Sequence, residues 1–186
     1  MRHVISVLVE NEPGVLVRVS GLFSGRGFNI ESLNVAETLD PSISRMTLVT
    51  SGNEQIIEQI IKQLNKLVNV VKVVDLTGSD FVDREMILIR VKAEASSRAE
   101  VLRILDIFRG RVVDVAPKSY TLEITGDEKK VQAVVELLAP FGILEVVRTG
   151  KVAISRGKKE TLGTGRAQEH KAESYPSIPP LGSTDL

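Results

Sequence analysis

Apolar residues follow one another along the chain in two rhythms, one of period two and one near 3.6, and their order of use repeats once. Val4 to Val9 is an apolar, β-branched run that reads as a strand. Glu10-Asn11-Glu12-Pro13-Gly14 ends it as a turn with a helix start built in. Val15, Leu16, Val19, Leu22 and Phe23 then form a helical stripe, stopped by Gly25-Arg26-Gly27. Phe28 to Val35 reads as a strand whose phase slips between Ile30 and Leu33, which predicts a bulge. Thr38 to Pro41 turns the chain into a strand over Ile43 to Thr50. After Ser51-Gly52-Asn53 comes a helix striped by Ile56, Ile57, Ile60, Ile61, Leu64, Leu67 and Val68, and Val70 to Leu76 is a short last strand. The order β-α-β-β-α-β is the split ferredoxin-like plan.

The plan then recurs. Met86 to Ala93 is a strand, and Ser97 with Glu100 has the spacing of a capping box ahead of Val101, Leu102, Ile104, Leu105 and Phe108. Strands over Val112 to Ala116 and Tyr120 to Thr125 flank a turn at Pro117-Lys118-Ser119. Asp127 caps a helix carrying Val131, Val134, Val135 and Leu138, which Pro140 and Gly142 end. Ile143 to Val147 completes the unit, with Val152 to Ile154 as its extension. Both copies close their first helix on Phe-x-Gly-Arg, at Phe23 to Arg26 and Phe108 to Arg111. The predicted fold class is α+β, two tandem ferredoxin-like sandwiches over 1–78 and 79–157. From Arg156 onward Gly, Lys, Glu, Ser and Pro dominate, so residues 158–186 read as a disordered tail.

Composition narrows the function. Aromatics are 4% of the 186 residues, so Val, Ile and Leu must build the cores. Lys+Arg and Asp+Glu balance at 24 each, which speaks against nucleic-acid binding by bulk charge. Arg26-Gly27-Phe28 imitates the start of an RNA-recognition signature, but Asn29, Ile30 and Glu31 depart from it. Gly21, Gly25 and Gly27 fit neither phosphate-binding pattern and read as helix packing and a helix end. Cysteine is absent, and the two histidines, His3 and His170, stand alone near the termini, with His3 expected on an edge strand. No constellation proposes catalysis. No run reaches the ~20 apolar residues of a membrane span, and no targeting segment is visible, which reads as cytoplasmic.

One segment invites a ligand. Free amides at the helix start after Pro13-Gly14 form an anion site, and Gly14 permits close approach to the backbone. Asn11 and Asn29 offer donors and acceptors for a second polar group. An α-amino acid, with its carboxylate and ammonium, matches that pair. A plain strand-to-helix connection is the other reading.

The stretch Leu8 to Leu16, with Gly21 to Leu33, resembles an ACT domain, and more narrowly the regulatory (small) subunit family of acetolactate synthase, or acetohydroxyacid synthase. The likeness continues through Asp40-Pro41, Ser44 to Thr47, Glu58-Gln59-Ile60, Lys62 to Leu67 and Arg84-Glu85. It persists in Ile107 to Gly110, Val113 to Val115, Arg148-Thr149-Gly150 and Ser155-Arg156-Gly157, and so spans residues 2 to 157. The resemblance implies an N-terminal ACT domain that pairs across a homodimer and senses valine, followed by a second, ACT-like domain of the small subunit. It places valine between Asn11, Gly14, Val15 and Leu16 on one wall and Asn29 and Ile30 on the other. It also implies a non-catalytic chain, without cofactor or metal of its own, that activates a catalytic (large) subunit carrying thiamine diphosphate, magnesium and FAD. Feedback inhibition of branched-chain amino acid biosynthesis by valine would pass through it. The alternative is an ACT-domain sensor serving a different amino-acid biosynthetic enzyme.

Overall fold

Strand β1 (Arg2–Glu10) organises the first half of the molecule. Alternation turns Ile5, Val7 and Val9 toward one face, where they are sealed from solvent. Helices α1 (Val15–Ser24) and α2 (Glu54–Leu64) cover that face, contributing Val15, Val19, Leu22 and Phe23 from one and Ile57, Ile60 and Leu64 from the other. Each such aliphatic side chain contributes about 1.5–3 kcal/mol on burial. Asn53 starts α2 by accepting the Ile56 amide at 2.9 Å, which satisfies one of the four donors a helix start leaves free. With β2 (Ser32–Glu37), β3 (Ile43–Ser51) and β4 (Val70–Asp75) the sheet order is β2-β3-β1-β4, antiparallel throughout.

The structure is a computed structural model and describes residues 1–157. The tail expected over 158–186, with His170, lies outside the described residues.

The second half repeats the topology. Strands β5 (Phe81–Lys92), β6 (Arg111–Ala116), β7 (Ser119–Gly126) and β8 (Ile143–Arg148) are ordered β6-β7-β5-β8. Helices α3 (Arg98–Ile107) and α4 (Glu128–Leu138) pack on Ile87, Ile89, Val91, Leu122 and Ile124. Asp127 caps α4 by accepting the Lys130 amide at 2.9 Å, and a single 3-10 turn, Ala139–Phe141, ends it.

Several local features differ from the sequence expectations or refine them. The phase slip at Ile30 is not a bulge: β2 begins only at Ser32, pairs with β3 in unbroken register, and Phe28 to Glu31 is irregular. Ser97 makes no capping box, because its backbone is already helical (φ −109°, ψ −13°) and its hydroxyl donates back to Glu94 O at 3.2 Å. At the end of α3 the left-handed residue is Arg109 (φ 50°), while Gly110 is needed for space, since a Cβ there would lie 2.3 Å from Leu105 Cδ1. His3 is not on an edge strand, because β1 is flanked by β3 and β4. Val152 to Ile154 does not extend β8. It belongs to a separate strand, β9 (Val152–Ser155), which pairs with Phe81–Arg84 at the start of β5.

That ninth strand joins the two halves. Ala153 is buried with Val4, Val49 and Leu76, and Val74 and Phe81 pack against them. The end of the first sheet's second face is thereby covered, which is why β1 reads as an apolar run rather than a strict alternation.

Candidate functional site

The turn between β1 and α1 has an unusual helix start. Gly14 is the N-cap residue, held at φ +87°, with no side-chain cap and no acidic residue in the first turn. A Cβ at Gly14 would meet nothing within 4 Å, so glycine serves the backbone conformation and leaves the approach open. Val15 N–H donates weakly to Glu12 O at 3.4 Å, and Arg18 N–H donates to Gly14 O at 3.0 Å. Between them the amides of Leu16 and Val17 have no acceptor among the described residues, and both side chains are exposed. Two unpaired N–H groups at the positive end of a helix dipole can accept an anion.

The loop leading to this start is braced by Asn69, which is buried. Asn69 accepts the Glu10 amide on its carbonyl at 2.9 Å and donates from its side chain to the Glu10 carboxylate at 2.6 Å and that of Glu12 at 3.3 Å. The Arg18 guanidinium donates to the Asn69 side-chain oxygen. Neither Asn69 nor Arg18 emerged from the sequence. The one available signal was a polar residue inside the apolar run Leu67 to Val71, where burial demands partners.

Asn11 stands beside this start, with both side-chain donors engaged, to Pro41 O at 2.9 Å and Glu37 Oε1 at 3.1 Å. Its backbone N–H donates to Ser42 O at 2.7 Å. The side-chain oxygen is what remains, an acceptor suited to an ammonium. Val15 is buried in the core and can offer a ligand only its backbone, whereas Leu16 is exposed. Asn29 and Ile30 lie elsewhere. The Asn29 carbonyl accepts the Thr50 hydroxyl at 2.7 Å, and Ile30 is partly buried against the first core. Within a single chain Asn11, Gly14, Val15 and Leu16 share the turn from β1 into α1, whereas Asn29 and Ile30 lie toward the other end of the sheet.

Among the described residues no three His, Cys, Asp or Glu side chains are placed to hold a metal ion, and no helix is long and apolar enough to cross a membrane.

Known proteins match both halves in order. Residues 5–72 match the family model described as "AHAS small subunit-like ACT domain", and residues 84–157 the one described as "Small subunit of acetolactate synthase". The probable acetolactate synthase small subunit of Archaeoglobus fulgidus is 53% identical over 160 residues, covering 86% of this chain and 100% of that protein. The small subunit of Haemophilus influenzae is 53% identical over 163 residues, covering 87% and 100%. The crystal structure of the acetolactate synthase small subunit from Thermotoga maritima superposes with a TM-score of 0.77 at 42% identity, covering 85% of this chain and 99% of that one. Two modules in the same order, matched over their full length, place this chain in the acetolactate synthase small-subunit family.

Proposed function

We propose that the chain is the non-catalytic regulatory subunit of a cytoplasmic acetolactate synthase, which binds valine through its first module and passes feedback inhibition to a catalytic subunit. That partner carries the thiamine diphosphate, magnesium and FAD, and this chain activates it. The observation that carries the reading is the pair of unpaired amides, Leu16 and Val17, behind an open Gly14. They receive the carboxylate of an amino acid. The Asn11 oxygen faces its ammonium, and Ile30 favours an aliphatic side chain over a polar one.

The valine site closes across a homodimer, the helix start of one copy meeting Asn29 and Ile30 of the second copy. Within one chain the two walls lie too far apart to touch one small molecule. Inhibition then requires valine to bind the inhibited assembly more tightly than the active one, since only a difference in affinity shifts the balance.

Thermal unfolding of the purified chain with valine, leucine, isoleucine and aspartate tests the ligand. A ligand at about 100 times its Kd adds about 2.7 kcal/mol to the native state, so valine should raise the melting temperature and aspartate should not. Reconstitution with a thiamine-diphosphate-dependent catalytic subunit tests the partner. A melting temperature indifferent to valine, or no rise in the catalytic subunit's activity, would overturn the reading.

A further inference from the structure

Arg2, at the start of β1, holds two carboxylates from different halves of the molecule. Its Nε donates to Glu31 at 2.7 Å, and its Nη1 pairs with Glu128, the first residue of α4. The other oxygen of Glu128 accepts Lys151 Nζ at 2.6 Å. Lys151 is only 7% exposed, unusual for a lysine, and its ammonium also faces Asp83 at 3.2 Å. The Lys151 backbone N–H donates to the Ser32 hydroxyl at 3.2 Å. Gly150 packs so closely there that a Cβ would stand 2.5 Å from Ser32 Oγ.

Glu31 and Ser32 directly follow Asn29 and Ile30, the second wall of the valine site. Glu31 is further tied to the first sheet, its amide donating to Val49 O at 2.8 Å and its carboxylate accepting the Ser51 hydroxyl. The irregular segment Phe28 to Glu31, which has no strand ladder of its own, is therefore anchored at its end by groups from the second half.

We propose that Glu128 and Lys151 are positioning residues for the Asn29–Ile30 wall, so that the second module sets the geometry of the first module's effector site and feels its occupancy. This rests on the wall assignment given above. Placing a buried ammonium between two carboxylates fixes one arrangement, because each charge removed from water needs its partners in place. The network gives the two modules a shared element that both can bias, which is the physical requirement for coupling between sites.

The test compares the full chain with Glu128→Gln and Glu128→Asp, reading backbone hydrogen exchange and valine binding by calorimetry. In Glu128→Gln the amides of Glu31 to Leu33 should exchange several-fold faster while those of Ile5, Val7, Ile87 and Ile89 keep their protection. Valine affinity should fall by about five- to tenfold, at the low end of typical coupling between sites. Glu128→Asp should restore both in part. Unchanged exchange at Glu31 to Leu33, or a rise spread evenly through both cores, would overturn the proposal. Should the wild-type chain fail to bind valine, the functional reading falls on its own, and the exchange comparison still decides the role of Glu128 and Lys151.

Discussion

Asn11 and Asn29 are anchored at opposite ends of strand β3. The first is bonded to Ser42, just ahead of the strand, and the second to Thr50, eight positions further on, which at a rise of ~3.3 Å per residue puts the two anchor points about 26 Å apart. No free amino acid spans that distance. If both asparagines serve one ligand, they come from two chains.

Mixed dimers test this directly. Chains carrying Asn11→Ala and chains carrying Asn29→Ala should each lose valine binding by about tenfold or more. Mixed and allowed to exchange subunits, they should recover one wild-type site per heterodimer, because one pairing unites the intact Asn11 with the intact Asn29. Calorimetry should then show high-affinity sites at about half the number of heterodimer chains. A site built within one chain would show no recovery.

Gly14 separates charge from strain. Gly14→Asp puts a carboxylate beside the amides of Leu16 and Val17 and should abolish valine inhibition. Gly14→Ala carries a left-handed penalty of about 1–2 kcal/mol, no smaller than that of aspartate, without the charge. A Cβ at this position meets nothing within 4 Å, so neither variant clashes there. The alanine variant should melt lower yet keep substantial valine sensitivity in the reconstituted enzyme, and equal loss in both variants would assign the effect to the backbone.

Asn69→Ala removes the brace of the β1–α1 loop. It leaves Glu10, Glu12 and Arg18 without their shared buried partner, at a cost of about 1–3 kcal/mol in urea unfolding. Valine affinity should weaken with it, since the loop that sets the helix start is loosened.

Glu85 and Arg148 form a two-pronged pair, at 2.6 and 2.8 Å, that ties β8 to β5. Glu85 is 5% exposed, while Arg148 is about half exposed. Donating to the Glu85 carboxylate raises the Arg148 guanidinium's affinity for its proton, against the opposing effect of burial. Arg148→Ala strands a buried carboxylate and should cost about 2–3 kcal/mol, below the full figure for buried pairs because water reaches Arg148. Glu85→Gln with Arg148→Ala should recover part of that loss in urea unfolding.

The junction between the halves should be sensitive to acid. The hydrogen bond from Lys151, and then the charges of Lys151, Arg2 and Arg148, hold the Glu128 carboxyl below its ordinary value of 4.5 against the effect of burial. Glu31 is lowered likewise, first by the hydrogen bond from Ser51 and then by Arg2. A carboxyl with a depressed folded value contributes stability that is complete above the unfolded value and is lost as pH falls through the folded one. Wild-type stability should therefore decline from about pH 4.5 downward. Glu128→Gln should lower the plateau at neutral pH and make that decline shallower, as read from urea midpoints across pH 2.5 to 7, about the range in which carboxylates titrate.

Much of this molecule was legible from periodicity. Period-two and 3.6 patterns sufficed for both βαββαβ units, for the caps at Asn53 and Asp127, and for the stripes on α1 and α2 except that Leu16 is exposed and Leu67 and Val68 fall beyond the end of α2, because those features are set within a few residues. Where local reading failed, a distant partner had decided the matter. Ser97 has the right neighbour at Glu100 but the wrong backbone angles, and His3 lies inside the sheet because β4 returns beside β1.

The sequence by itself determined the two units, their cores and the glycine-marked helix start, since alternation, capping and left-handed turns are properties of short stretches. Tertiary structure alone decided that Asn11 and Asn29 point to different ends of one sheet, that β9 pairs with β5, and that Arg2, Glu31, Glu128 and Lys151 meet. Those relations join residues up to 126 positions apart. Hydrophobic burial of Ala153 with Val4, Val49 and Leu76 holds the halves together beside these charges, a non-directional attraction that no short stretch of sequence encodes.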